Sequence, residues 1–189
     1  MELINGGYAG SGIRLDAAKL GSAAHRTRVF WTNAAKATDI QERYNQTDRQ
    51  RLTDRLNAQD ALDPNRNVQV AQRDDPAYPG VYTLNVAGES IRAFPTLVAT
   101  PGSYAFRETH YIDDVIRGPG MIYDREKGQY DEPNADERER IMGMLPGSTN
   151  RPGATEDQRR QQIGNAVDVR AYTWLCRELY RWRALHLDE

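Results

Sequence analysis

Two arginines one residue apart, Arg26 and Arg28, open the stretch HRTRVFWTN, residues 25–33, which runs straight on into β-branched and aromatic side chains. A guanidinium buried without a partner is strongly destabilising. A pair at the mouth of a core strand therefore either reaches back to water or meets something anionic there. Planar guanidinium suits the gripping of carbonyl and phosphate oxygens; the plainer alternative is a surface pair bonded to carboxylates such as Asp16. Other candidates are thinner. Glu137 and Arg140 stand three residues apart, which fits an ordinary helical ion pair as well as an anchor for a neighbouring segment. Gly164-Asn165 in RRQQIGNAVDV suits a helix C-terminus. The glycines of GGYAGSG, Gly6 to Gly12, suggest a phosphate-cradling loop, but such a loop needs a strand before it and a helix directly after it. Only five residues precede Gly6 and the sequence after Gly12 alternates like a strand, so the glycines read as a flexible lead-in. The three histidines have no ligand spacing and the single cysteine leaves no cluster, so no metal site is expected.

Length and composition bound the rest. A chain of 189 residues suggests one domain, with or without a satellite, and is long enough for a sizeable core. It is polar: 39% hydrophobic and 28% charged, with a mean hydropathy of -0.79. No run approaches the roughly 18 apolar residues of a membrane helix, so no membrane partner is expected. The start of the chain has neither the basic nor the apolar part of a secretory signal. One cysteine, Cys176, excludes an internal disulfide and fits a reducing, intracellular compartment. Net charge is only -2, with 25 basic against 27 acidic residues. Nucleic-acid binding would therefore need a local basic surface.

The elements that would position these residues follow from pattern. IRLD and then Thr27 to about Thr32 read as two strands around a small-residue connection. The continuous Val29-Phe30-Trp31 run predicts a strand covered on both faces. From Asp39 to about Leu62 a thin stripe of Ile40, Tyr44, Leu52 and Leu56 predicts a surface helix or helix pair. Short β-like pieces punctuated by Asp63-Pro64, Asp75-Pro76, Pro79-Gly80 and Pro101-Gly102 come next. Ala135 to Met142 reads as helical, closed by a Pro146-Gly147 turn. Thr155 to Gln158 is a capping box for a helix that breaks or bends at Gly164. It continues with Ala171, Leu175, Leu179 and Trp182 on one side.

Three of these stretches, in this order, resemble motifs of one family. GSAAHRTRVFWTN resembles the arginine-containing eighth motif of DNA cytosine-5 methyltransferases, particularly the de novo branch, in which an Arg-x-Arg pair leads into an aromatic strand. ADERERIMGMLPG resembles the ninth motif: Glu137, Arg140 and Gly143 keep its spacing, while Met144 and an extra Leu145 before Pro146 depart from it. RRQQIGNAVDV resembles the tenth, with Asp168 where a proline is usual. The resemblance implies an α/β fold, the C-terminal part of a class I, Rossmann-like methyltransferase with an inserted, irregular α+β target-recognition region. Residues 1–33 would hold a strand pair of the catalytic fold, 34–131 the recognition region, and 132–189 the helices completing the fold.

It also implies roles. A cytosine must leave the duplex stack before its ring can be attacked; Arg28 would contact the flipped base and Arg26 the nearby backbone. Asn165, Ala166 and Val167 would form an edge of the S-adenosylmethionine pocket. Arg92, Thr96, Thr100 and Ser103, in and around the Thr-rich stretch RAFPTLVATPGSY, would touch double-stranded DNA, and Glu137, Arg140 and Gly143 would be structural. The family's Phe-x-Gly-x-Gly, Pro-Cys and Glu-Asn-Val motifs, which precede the eighth, have no counterpart here, and Cys176 lies beyond the tenth motif with no proline before it. The chain is thus expected to be inactive by itself, as a fragment, one part of a split enzyme or a piece of a mobile-element polyprotein, with a nuclear location. Its partner would be the N-terminal catalytic half or another methyltransferase subunit. The alternatives are a non-catalytic DNA-binding or regulatory relative and an unrelated small α+β protein.

Overall fold

In a computed structural model of the chain, the described residues are 12–69, 82–84, 90–100, 102–106, 108–111 and 114–186. Apart from Gly12, the glycine-rich opening lies outside them. Strand β1 (Ile13–Asp16) pairs antiparallel with β2 (Thr27–Phe30), from Ile13 opposite Phe30 to Asp16 opposite Thr27. The period-2 alternation sends Ile13 and Leu15 into the interior, both fully buried. Helix α1 (Ala37–Gln46) closes the outer edge of β1 with side chains. Gln41 Oε1 accepts from the Arg14 N–H at 2.7 Å, Gln41 Nε2 donates to the Arg14 carbonyl at 3.2 Å, and Tyr44 OH accepts from the Asp16 N–H at 2.9 Å. An amide in this position satisfies a strand edge much as another strand would.

Two expectations need correction. β2 is not covered on both faces: Val29 is 42% and Trp31 46% exposed. The strand belongs to a two-stranded sheet, and its apolar run exceeds what that sheet can bury. Nor does a helix or helix pair extend to Leu62. α1 ends at Gln46, and short 3-10 turns at Arg49–Arg51 and Gln59–Ala61 follow. Arg49, buried there, donates to the carbonyls of Ala18, Ser22 and Leu56 at 2.5, 2.8 and 2.6 Å. That guanidinium holds the loop in place of a helical ladder.

Among the described residues, the middle of the chain carries only small sheets. β3 (Arg66–Val68), β8 (Ile122–Asp124) and β9 (Gln129–Asp131) form a three-stranded antiparallel sheet in the order β3-β8-β9. β4 (Tyr82–Leu84) pairs with β5 (Ser90–Arg92), and β6 (Glu108–Tyr111) with β7 (Asp114–Arg117). Three helices end the chain: α2 (Ala135–Ile141), α3 (Glu156–Asn165) and α4 (Val169–Leu185). α3 begins with the expected capping box, the Thr155 hydroxyl accepting from Gln158 N–H at 3.2 Å and the Gln158 amide oxygen from Thr155 N–H at 3.1 Å.

Two apolar clusters hold these parts together. One joins Ile13, Leu15, Leu20 and Ile40 to Ala171 and Leu175, so β1 and α1 pack on α4. Leu179 and Trp182, one and two turns on, flank it as the spacing predicts. The other joins Ala23 and Ala24 to Phe94, Leu97, Phe106, Ile122, Ile141 and Ile163. It binds the β-rich middle to α2 and α3. No helix among the described residues is long and apolar enough to cross a membrane.

Candidate functional site

Arg26 and Arg28 part company in the folded chain. β-alternation sends their side chains to the same face, but the chain enters β2 only at Thr27, and Arg26 turns inward. Arg26 is 2% exposed. Its Nη1 donates to the Leu97 carbonyl at 3.2 Å, and Nη2 donates to the carbonyls of Gly164 at 2.7 Å and Ala166 at 2.5 Å. One guanidinium thus ties the arginine stretch to the Thr-rich stretch and to the Gly-Asn turn, the segments singled out in sequence. Burial, and secondarily the Arg28 charge, push its pKa down to about 10, with Asp168 opposing; it stays cationic at neutral pH. The expected contact of Arg26 with a nucleic-acid backbone is corrected accordingly, because the side chain is buried and both terminal nitrogens donate to protein carbonyls. Arg28 is exposed and, among the described residues, donates only to the carbonyl of its neighbour Thr27, at 2.8 Å.

Asp16 and Asp168 fix this junction. Asp16 Oδ1 accepts from the Arg26 N–H at 2.8 Å and the Ala18 N–H at 3.3 Å, while Oδ2 meets His25 Nδ1 at 2.7 Å. The alternative of an arginine–Asp16 surface pair is replaced by a backbone contact. Asp168 is 1% exposed. It caps α4, accepting from the N–H groups of Arg170 and Ala171 at 3.0 Å each, and takes the Ser22 hydroxyl at 2.6 Å. Burial raises its pKa against these hydrogen bonds. In sequence Asp168 stands out as a departure from a proline motif, yet an Asp directly before a helical run is itself the signal of a strong N-cap. Gly164 is there for contact. A Cβ on it would lie 2.4 Å from the Ala99 backbone nitrogen and 2.7 Å from Ala99 Cα. The turn that follows displays Asn165 and Val167 to solvent and leaves Ala166 half-buried.

The Thr-rich stretch docks beside the arginines. Ala24 and Phe94 form a parallel bridge, with His25 N–H donating to the Phe94 carbonyl and Phe94 N–H to the Ala23 carbonyl, both at 2.8 Å. Thr96 is turned inward: its hydroxyl donates to the His25 carbonyl at 2.9 Å. It braces the arginine stretch, a correction to its expected place on a DNA-facing surface. Thr100 is exposed and Ser103 half-buried, and Arg92 ends β5 opposite Tyr82.

Glu137 and Arg140 do not pair with each other. Glu137, fully buried, forms a capping box with Asn134, accepts from the Asp63 N–H at 3.0 Å and pairs with Arg66 at 2.6 Å. Burial pushes its pKa up, opposed by those N–H groups and by Arg66. Arg140 donates to the Ala61 carbonyl at 2.8 Å and to Asp63 at 2.5 Å. Both therefore clamp residues 61–66 onto α2. Gly143 ends α2 with φ +71, its N–H reaching the Arg140 carbonyl while Met144 N–H reaches that of Glu139, a Schellman turn.

No protein-family model matches the chain, and no curated protein does. Solved structures do. The chain is similar to the Dnmt2 methyltransferase of S. pombe with a TM-score of 0.54 and 13% identity over 95% of this chain and 58% of that one. It is similar to the Entamoeba histolytica methyltransferase EhMeth with a TM-score of 0.48 and 16% identity over 95% of this chain and 55% of that one. The chain spans little more than half the length of either. What it shares with the first is the fold, the α/β architecture of the matched part of a methyltransferase.

Proposed function

We propose that the chain is the DNA-recognising, C-terminal part of a DNA cytosine-5 methyltransferase, closest to the de novo branch. It would act on double-stranded DNA with a companion, an N-terminal catalytic half or another methyltransferase subunit. The observation that carries this reading is the Arg26 junction. It gathers two of the three stretches on which the family resemblance rests, the eighth-motif and tenth-motif ones, together with the Thr-rich stretch, and leaves Arg28 as the exposed guanidinium beside them. A fixed, solvent-facing fork suits an acceptor that arrives only after a base has left the stack, such as a cytosine carbonyl oxygen. Thr100, Ser103 and Arg92 are the recognition-region candidates left once Thr96 is accounted for.

S-adenosylmethionine would supply the methyl group. Asn165 and Val167 project from a turn whose carbonyls at Gly164 and Ala166 are held by Arg26. An amide and an apolar side chain set side by side on a rigid turn fit one edge of such a pocket. The attack on cytosine needs a thiolate. Cys176, the single cysteine, sits exposed in the middle of α4, so the nucleophile would come from the companion.

The test is methylation of duplex DNA by the chain mixed with, or joined to, a segment bearing a Pro-Cys nucleophile and a donor-binding loop. The chain alone should transfer nothing above a no-protein control and bind S-adenosylmethionine weakly or not at all. The combination should be active, and Arg28→Ala should slow it roughly ten- to a hundredfold, the worth of one charge-assisted hydrogen bond. Duplex affinity should change far less, since phosphate contacts elsewhere supply most binding. Arg28→Lys should recover only part of the loss. A folded Arg28→Ala protein with a near-normal rate would overturn the reading. Duplex binding without methylation in the combination would favour a regulatory, non-catalytic relative.

A further inference from the structure

A second basic site lies away from Arg28, in a cleft of about 240 Å³ beside the first turns of α4. Arg170, Thr173 and Arg177 form one wall, three and four residues apart and so on one face of the helix. Leu20 and Leu52 lie opposite, and Asp54 is the one carboxylate in the lining. Arg170 spends Nη1 on the Asp54 carbonyl and lies 3.3 Å from its carboxylate. Its Nε is buried without a hydrogen-bond partner. Arg177, exposed, has no ion-pair partner among the described residues. More positive charge stands behind: Arg55 and Arg170 both act on buried Arg49, whose pKa is pushed down to about 10, chiefly by burial.

The Nε atoms of Arg26, Arg49 and Arg66 are buried unpartnered as well; what sets Arg170 apart is that its guanidinium stands at the wall of an open, net-positive cleft beside Arg177, unpaired among the described residues. We infer that the cleft binds a phosphate group, with Arg170 and Arg177 on either side of it and the Thr173 hydroxyl donating between them. A tetrahedral anion offers several oxygens to donors converging from one helix face, and guanidinium suits it. The group could belong to a phosphorylated small molecule or to a nucleic-acid backbone. The inference is independent of what Arg28 grips.

The test uses the whole 189-residue chain and follows arginine Nε–H resonances by NMR. The probes are inorganic phosphate, a nucleoside 5′-monophosphate and a short DNA duplex, each added at matched ionic strength. Saturable shifts at Arg170 and Arg177 are expected with at least one probe. Arg177→Gln should weaken that binding about tenfold or more, one charge-assisted bond, and Arg28→Ala should leave it unchanged. Tighter binding of the monophosphate assigns the cleft to a small molecule, and tighter, steeply salt-dependent binding of the duplex assigns it to a backbone. No saturable shift with any probe would overturn the inference, as would binding indifferent to Arg177→Gln or lost equally in Arg28→Ala. Because no arm reads methylation, the proposed function can fail while this site stands, and the reverse.

Discussion

Arg26 and Arg28 answer opposite questions when removed. Truncating Arg26 leaves the carbonyls of Leu97, Gly164 and Ala166 without their donor in a buried place. Hydrogen bonds to a charged group are worth about 1.5–3 kcal/mol each, and orphaned acceptors add to the cost. Arg26→Ala should therefore lower unfolding free energy by about 3 kcal/mol or more, read as a drop in urea midpoint. Arg26→Lys should rescue little, because one ammonium cannot reproduce a fork spanning three carbonyls. Arg28→Ala should move stability by less than about 0.5 kcal/mol, as exposed substitutions do. Asp16 gives the same region a pH dependence. Burial alone would raise its pKa, but His25 and the N–H groups of Arg26 and Ala18 outweigh it, and the carboxyl ends below its ordinary value. A depressed folded-state pKa means stability that is present above the unfolded value and lost as pH falls through the folded one. Asp16→Asn should be less stable at neutral pH by about 1–3 kcal/mol. That gap should close as pH drops below roughly 4, measured as denaturant midpoint against pH.

At the scale of elements, the α3–α4 break is the place to test. Gly to Ala within a helix ordinarily stabilises by about 1 kcal/mol. Gly164 reverses the sign, because its Cβ would meet the Ala99 backbone at 2.4 Å. Gly164→Ala should destabilise by about 1–3 kcal/mol, the usual range for overpacking, and should shift NMR resonances of residues 97–99 as well as of α3. Helices with local signals were legible in the sequence: the Thr155–Gln158 box and the Ala171/Leu175/Leu179/Trp182 stripe appear where the pattern put them. The same holds for the strand pair, though not for its burial. Periodicity reports which residues are apolar and says nothing of how many layers are there to cover them, so Val29 and Trp31 were placed inside and stand outside. The inward turn of Arg26 was illegible for a related reason. Its acceptors are backbone carbonyls, common to every residue type, and they lie 71, 138 and 140 positions away.

For the whole molecule, five buried guanidiniums among the described residues do work that a larger apolar core would otherwise do. Arg26, Arg49, Arg66, Arg138 and Arg159 are all under a tenth exposed, and each reaches backbone carbonyls or carboxylates on other segments. Arg138, for example, joins Pro133, Val98 and Glu132. This suits a chain that is only 39% hydrophobic, since ionic ties between loops replace sheet pairing in the β-rich middle. The Arg26 junction sets an order in time. A ribosome releases the chain from its N-terminus, so Arg26 is made long before Gly164 and Ala166, and until they emerge two of its three acceptors do not yet exist. Contacts of such separation close slowly. The nascent chain must therefore carry an unmatched cation at the mouth of β2 until residues 164–166 have been made, and Arg28 gains its fixed setting only after that point.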